Sequence, residues 1–133
     1  MRTHATATFI INDVSEEQYH ERDGVRLLRS RLIKTFAGDL VGTSSTEILI
    51  AYGHAADSLS YVGFELVEGR LQGRAGSFIL CHSAIGSGGL ILNSAGIVPD
   101  SGTGELARLR GSAELASAPV GNDKLLMLDY ELG

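Results

Sequence analysis

Between Tyr61 and His82 the chain reads YVGFELVEGRLQGRAGSFILCH, two apolar runs joined through a glycine-punctuated turn. In the first run one parity holds Tyr61, Gly63, Glu65 and Val67, and the other holds Val62, Phe64, Leu66 and Glu68. Both faces of an extended segment would then be largely apolar, as in a strand covered on two sides. The second run sets Ser77, Ile79 and Cys81 against Phe78, Leu80 and His82, again with little that suits bulk water. One acid, Glu65, stands in a stretch whose other residues favour burial.

The same patterning predicts further strands along the chain. Thr3 to Ile11 forms the first, halted by Asn12 and Asp13. Residues 14–24, VSEEQYHERDG, are the most polar of all; a solvated loop, an edge strand and a short helical turn capped by Ser15 all fit them. Val25 to Phe36 reads as a long strand, with Arg29, Arg31 and Ile33 on one side, Ser30, Leu32 and Lys34 on the other, and one side facing solvent. Strands follow at Thr46 to Tyr52, Leu90 to Asn93, Ala95 to Val98, Leu106 to Leu115 and Leu125 to Leu132, with SAIGSGG and Gly53 to Ser60 as connections and Pro99 to Gly104 as a turn. A G-x-L-x-G pattern occurs at Gly38 to Gly42 and again at Gly69 to Gly73, which in an extended chain puts both glycines on the face of the central leucine, where strands bend or approach closely. Seven or eight strands with short connections predict an all-β fold, a single small antiparallel β-barrel of about eight strands occupying residues 1–133 as one domain.

Composition narrows the function classes. The 133 residues are 44% hydrophobic with 17 Gly and 2 Pro, as expected of turns and bulges in an ordered all-β chain. A net charge of −5 with no basic block argues against nucleic acid and against an anionic membrane surface as partners. No apolar run approaches the ~18 residues of a membrane span, and no leader-like stretch opens the chain, so a cytoplasmic protein is expected. Cys81 is the single cysteine, and its place in an apolar strand predicts a buried, inert thiol. No metal-ligating spacing of Cys and His is visible, so neither metal nor other cofactor is expected. A homodimer or other homo-oligomer is expected, because most soluble assemblies are of that kind.

Four stretches, GDLVGTSSTEILIAY, YVGFELVEGRLQGRAGSFILCHS, IVPDSGTGELARLRG and LDYEL, in that order, resemble the bacterial family named domain of unknown function 3224. The resemblance covers most of the chain from about Leu32 onward and implies an allene oxide cyclase-like β-barrel. The chain departs from the family's usual pattern at Val14, where a Trp is common nearby, at Cys81, where Gln is common, and at Asp100 and Arg108, where Gly is common. By analogy of fold, such barrels hold a flexible, mostly apolar molecule in a folded conformation and guide ring closure without metal or cofactor.

The candidate chemistry is carried by scattered residues. Glu65 either points into the barrel, where desolvation raises its pKa and suits it to general acid or hydrogen-bonding work, or faces out toward an arginine. His82 shares the parity of Phe78 and Leu80, as either a hydrogen-bonded structural histidine or a proton-transfer group. Tyr130, between Asp129 and Glu131, offers a phenol to a substrate carbonyl; these three are the catalytic candidates. Tyr61, Phe78, Glu47, Glu105 and Ser77 are the substrate-binding candidates, although for Glu47 and Glu105 a salt bridge to one of Arg29, Arg31, Arg74, Arg108 or Arg110 is the simpler reading. Residues 101–104, SGTG, lack a following helix, and GSF around Ser77 is not a nucleophile elbow. The expectation is a cofactor-independent isomerase or cyclase that takes an apolar small-molecule ligand of polyketide or fatty-acid type and promotes ring closure. A non-catalytic carrier barrel and a structural oligomer with a filled barrel are the alternatives.

Overall fold

Two-residue turns set the meander. Asp23 and Gly24, with φ of 52° and 85°, and Gln72 and Gly73, with φ of 46° and 88°, both take the left-handed pair of conformations that matches the twist of antiparallel strands. In the computed structural model, which describes residues 2–117, 121 and 123–133, these turns join β1 (Thr3–Arg22) to β2 (Val25–Gly38) and β4 (Leu59–Leu71) to β5 (Arg74–Ser87). β3 (Leu40–Tyr52) lies between the two hairpins, and β6 (Leu90–Ile97), β7 (Thr103–Gly104), β8 (Leu109–Ser117) and β9 (Lys124–Leu132) complete the set.

The strand order is β4-β3-β2-β1-β9-β8-β6-β5-β7, and pairing of β4 with β5 closes it. Eight antiparallel strands thus form a closed barrel, and the two-residue β7 is an addition that pairs with β5 at Gly76 and Ser77. Among the described residues there is no helix, and therefore none long and apolar enough to cross a membrane. The closure is uneven. β3 and β4 pair along their whole length, from Leu40 opposite Leu71 to Tyr52 opposite Leu59, whereas β6 and β8 share one register pair among the described residues, Gly96 with Ser112.

The G-x-L-x-G segments meet across one ladder. Leu40 lies opposite Leu71 and Gly42 opposite Gly69. A Cβ on Gly42 would lie 2.1 Å from the Glu68 carbonyl oxygen and 2.8 Å from the Gly69 Cα, so the two backbones approach more closely than any side chain permits. Both leucines enter the core, with Phe36, Val67, Phe78, Leu80, Leu126 and Leu128. Leu106, from the connection between β7 and β8, is fully buried among them and helps to seal this end of the barrel.

Several expectations change. Leu90–Ile97 is one strand rather than two, and β8 begins at Leu109, with Leu106 in the turn before it. β1 runs on through the polar stretch to Arg22, paired with β2 to the Asp23-Gly24 turn; exposure on both faces there removes the apolar signal a buried strand would carry. β5 likewise absorbs most of SAIGSGG, extending to Ser87 opposite Leu90. Cys81 is exposed rather than buried, on the outer face opposite Phe64, which is itself 60% exposed. The parity was legible, but its apolar outer side is not covered by any described part of this chain.

Candidate functional site

Opposite the sealed end the inward positions change character. Along β2 the buried set is Leu28, Ser30, Lys34 and Phe36; β3 contributes Ser44 and Thr46, β4 contributes Glu65, and β5 contributes His82. Strand alternation forces these side chains inward, since each is an even number of residues from a buried apolar position on the same strand. They gather around Glu65, which is 1% exposed.

The Glu65 carboxylate accepts from three sides. Ser44 Oγ donates to Oε2 over 2.6 Å, His82 Nε2 lies 2.8 Å from Oε1, and Lys34 Nζ stands 3.3 Å from Oε2. The Lys34 ammonium also lies 4.6 Å from the centre of the Phe9 ring, a cation–π contact that compensates part of its lost hydration. Burial is the largest single influence on the Glu65 pKa and raises it. The His82 hydrogen bond, the Lys34 charge and the Ser44 hydroxyl together outweigh burial and hold the carboxyl below its ordinary range. Glu65 is therefore an ionised acceptor, not the neutral acid that desolvation alone predicts.

An ionised carboxylate only accepts, so His82 Nε2 is the donor in this pair and Nδ1 is the ring nitrogen left for other partners. Nδ1 has no partner among the described residues. The imidazole stands on the wall of a cavity of about 350 Å³ in the barrel mouth, lined mainly by apolar side chains that include Phe9, Leu32, Ile48, Tyr61 and Leu115. A second, more polar cavity of about 320 Å³ lies along the β6–β8 seam, with Asn93, Ser94 and Glu114 on it, and it also reaches His82 and Tyr61. Thr46 lines the mouth cavity too, and its buried Oγ1 has no hydrogen-bond partner among the described residues. Among the described residues no three of His, Cys, Asp and Glu gather closely enough to hold a metal ion.

Glu65, His82 and Tyr61 thus come together, and the other candidates do not join them. Tyr130 is buried at the sealed end, its phenol donating to Gln72 Oε1. Gln72 is seven residues along from Glu65, roughly 20 Å at strand rise, so Tyr130 cannot reach a molecule held at His82. Burial raises the Tyr130 pKa, with Asp39 adding to the rise and Arg74 opposing it, so the phenol stays protonated as a donor. Tyr130→Phe is accordingly expected to lower stability by about 1 kcal/mol in urea unfolding and to leave binding in the mouth cavity unchanged. Phe78 is fully buried core. Ser77 lies against β7, its Oγ 2.6 Å from Thr103 Oγ1. Glu105 accepts from the Ala75 amide and holds the start of β5, and Glu47 is on the outer face, 4.0 Å from Arg31.

Lys34, Ser44 and Thr46 were not anticipated. Lys34 carried a signal: it shares parity with Leu28, Leu32 and Phe36, so a lysine falls on the apolar side of its strand. Ser44 and Thr46 carried none, because small hydroxyl residues suit either face of a sheet.

The comparisons agree with this architecture. Among curated proteins none matches the chain. A crystal structure at 1.84 Å resolution of a protein with unknown function from the DUF3224 family of Shewanella oneidensis MR-1 is 32% identical, with a TM-score of 0.85 over 100% of this chain and 98% of that one. The family model described as "Protein of unknown function (DUF3224)" matches residues 5–130. With the family model spanning nearly the whole barrel, the chain belongs to the DUF3224 family.

Proposed function

We propose that this barrel binds a small, mostly apolar molecule in its mouth and isomerises it without a cofactor, ring closure being the form of isomerisation the barrel shape favours. The observation that carries the proposal is His82: its Nε2 is fixed on an ionised, buried Glu65 while its ring lines an apolar cavity of about 350 Å³. A cavity of that size falls in the range of small-molecule sites. A carboxylate behind an imidazole sets the tautomer and stabilises the imidazolium, the arrangement a proton carrier needs. In the proposed step Nδ1 removes a proton from an acidified carbon of the ligand, the N–H so formed exchanges with solvent, and a proton is delivered from Nδ1 to another carbon, so that the product formed in H2O has the composition of the substrate. The walls restrict the ligand's conformations and so lower the entropic part of the barrier to closing a ring. In this reading the protein acts in the cytoplasm, with which an exposed, unpaired thiol accords.

The test is native mass spectrometry after exposure to an extract of the source cells, with turnover then followed in D2O. A released molecule of unchanged mass in H2O, with altered connectivity and one deuterium gained in D2O, is the expected result. His82→Gln is expected to retain the ligand and lose about 100-fold or more in rate. Recovery of an unaltered ligand with no exchange would instead favour a carrier, and an equally fast His82→Gln variant would remove His82 from the chemistry.

A further inference from the structure

The mouth cavity is apolar in its walls but one-sided in its charge. Among the described residues its basic side chains are Lys34, Lys124 and His82. Among the described residues no carboxylate lines it; Glu65 sits behind, its two oxygens already engaged by Ser44, His82 and Lys34. Thr46 adds an independent observation. It is 2% exposed, it borders the same cavity, and its Oγ1 lacks any hydrogen-bond partner among the described residues. A buried hydroxyl left unpaired is costly, and a ligand atom beside it removes that cost.

We infer that the ligand of this cavity is a small carboxylic acid, bound as its anion, with the carboxylate held by Lys34 and Thr46 and the apolar body against Phe9, Leu32 and Ile48. The register places these groups together. Thr46 is opposite Glu65 on one side and Leu32 on the other, while Lys34 is opposite Ser44. An ammonium has three N–H donors, so Lys34 can keep its contact with Glu65 and still donate to a ligand. Lys124, exposed at the start of β9, adds a second positive charge at the rim that steers an anion inward. A neutral ligand of the same shape would make no charge-assisted contact with Lys34 or Lys124. The inference rests on the reading of the mouth as a small-molecule site, and it adds the ligand's acidic group; it does not depend on turnover.

The probes are octanoate and octanamide, equal in chain length and differing in charge, titrated calorimetrically at pH 7 into the intact protein. Octanoate is expected to bind at least about tenfold more tightly than octanamide, the value of one charge-assisted hydrogen bond. That gap should narrow as salt is raised. Thr46→Val is expected to fold as well as the wild type, because Oγ1 has no partner to lose, and to weaken octanoate by about fivefold or more. Lys124→Met provides a second variant outside the buried cluster, expected to slow octanoate association with little effect on octanamide. Octanamide binding as tightly as octanoate would overturn the acidic head group and leave a small-molecule site standing. Failure of both probes to bind at millimolar concentration would overturn the head group and the site together.

Discussion

Glu65→Gln is expected to lower the unfolding free energy by about 3 to 5 kcal/mol, because it leaves the Lys34 charge buried without its counter-ion. Lys34 is 5% exposed and has no other carboxylate within salt-bridge reach among the described residues, and His82 loses its ionised acceptor in the same change. The effect should depend on pH in a defined direction. The folded state holds the Glu65 carboxyl below its ordinary value of 4.5, so between that value and the lower folded one the unfolded chain binds more protons. The contribution of the ionised carboxylate is thus complete above about 4.5 and is lost as pH falls through the folded pKa. Urea unfolding of both proteins from neutral pH downward should give stability curves that are separated near pH 7 and approach each other in acid. Equal stability at pH 7 would mean that Lys34 finds solvent when Glu65 is neutral, and the buried cluster would lose its place in the argument.

The second large effect concerns the backbone. Gly42→Ala is expected to cost about 3 kcal/mol, the upper end of overpacking penalties, since the added methyl meets the Glu68 carbonyl oxygen at 2.1 Å and no side chain can move aside. Gly69→Ala meets the Val41 carbonyl oxygen at 2.2 Å and should cost a similar amount. The two changes should not add. Once the β3–β4 ladder has been wedged apart at Gly42, the second methyl enters space already opened, so a double-mutant cycle should show a coupling of about 1 kcal/mol or more. Full additivity would indicate that the two clashes are relieved separately, by local bends of each strand.

Both effects bear on what the sequence could disclose. Alternation alone placed Glu65 and His82 in one apolar context, and the glycine spacing pointed to the close approach of strands now seen at Gly42 and Gly69. These features repeat at periods a strand imposes, so they survive in one dimension. The partners of Glu65 do not. Lys34, Ser44 and His82 reach it from three other strands, at separations of 31, 21 and 17 residues, fixed by barrel register rather than by local pattern. The error over the Glu65 pKa has the same origin: burial is a property of its own strand, whereas the donors that reverse its effect come from neighbours. Tyr130 shows the complementary failure. Its inward parity was legible, but parity does not say at which end of a barrel a residue lies, and it packs beside Gln72 at the sealed end while His82 lines the mouth.

Among the described residues β6 and β8 share a single bridge, which makes that seam the weakest ladder in the barrel wall. Elsewhere around the wall, widening the interior would mean breaking a ladder many residues long, as between β3 and β4. At the seam it means giving up the contact at Gly96 and Ser112, in a place where a polar cavity already leads to the imidazole. The strands that carry Lys34, Thr46, Glu65 and His82 are joined by the long β2–β3, β3–β4 and β4–β5 ladders, so the spacing of the cluster is set independently of that seam.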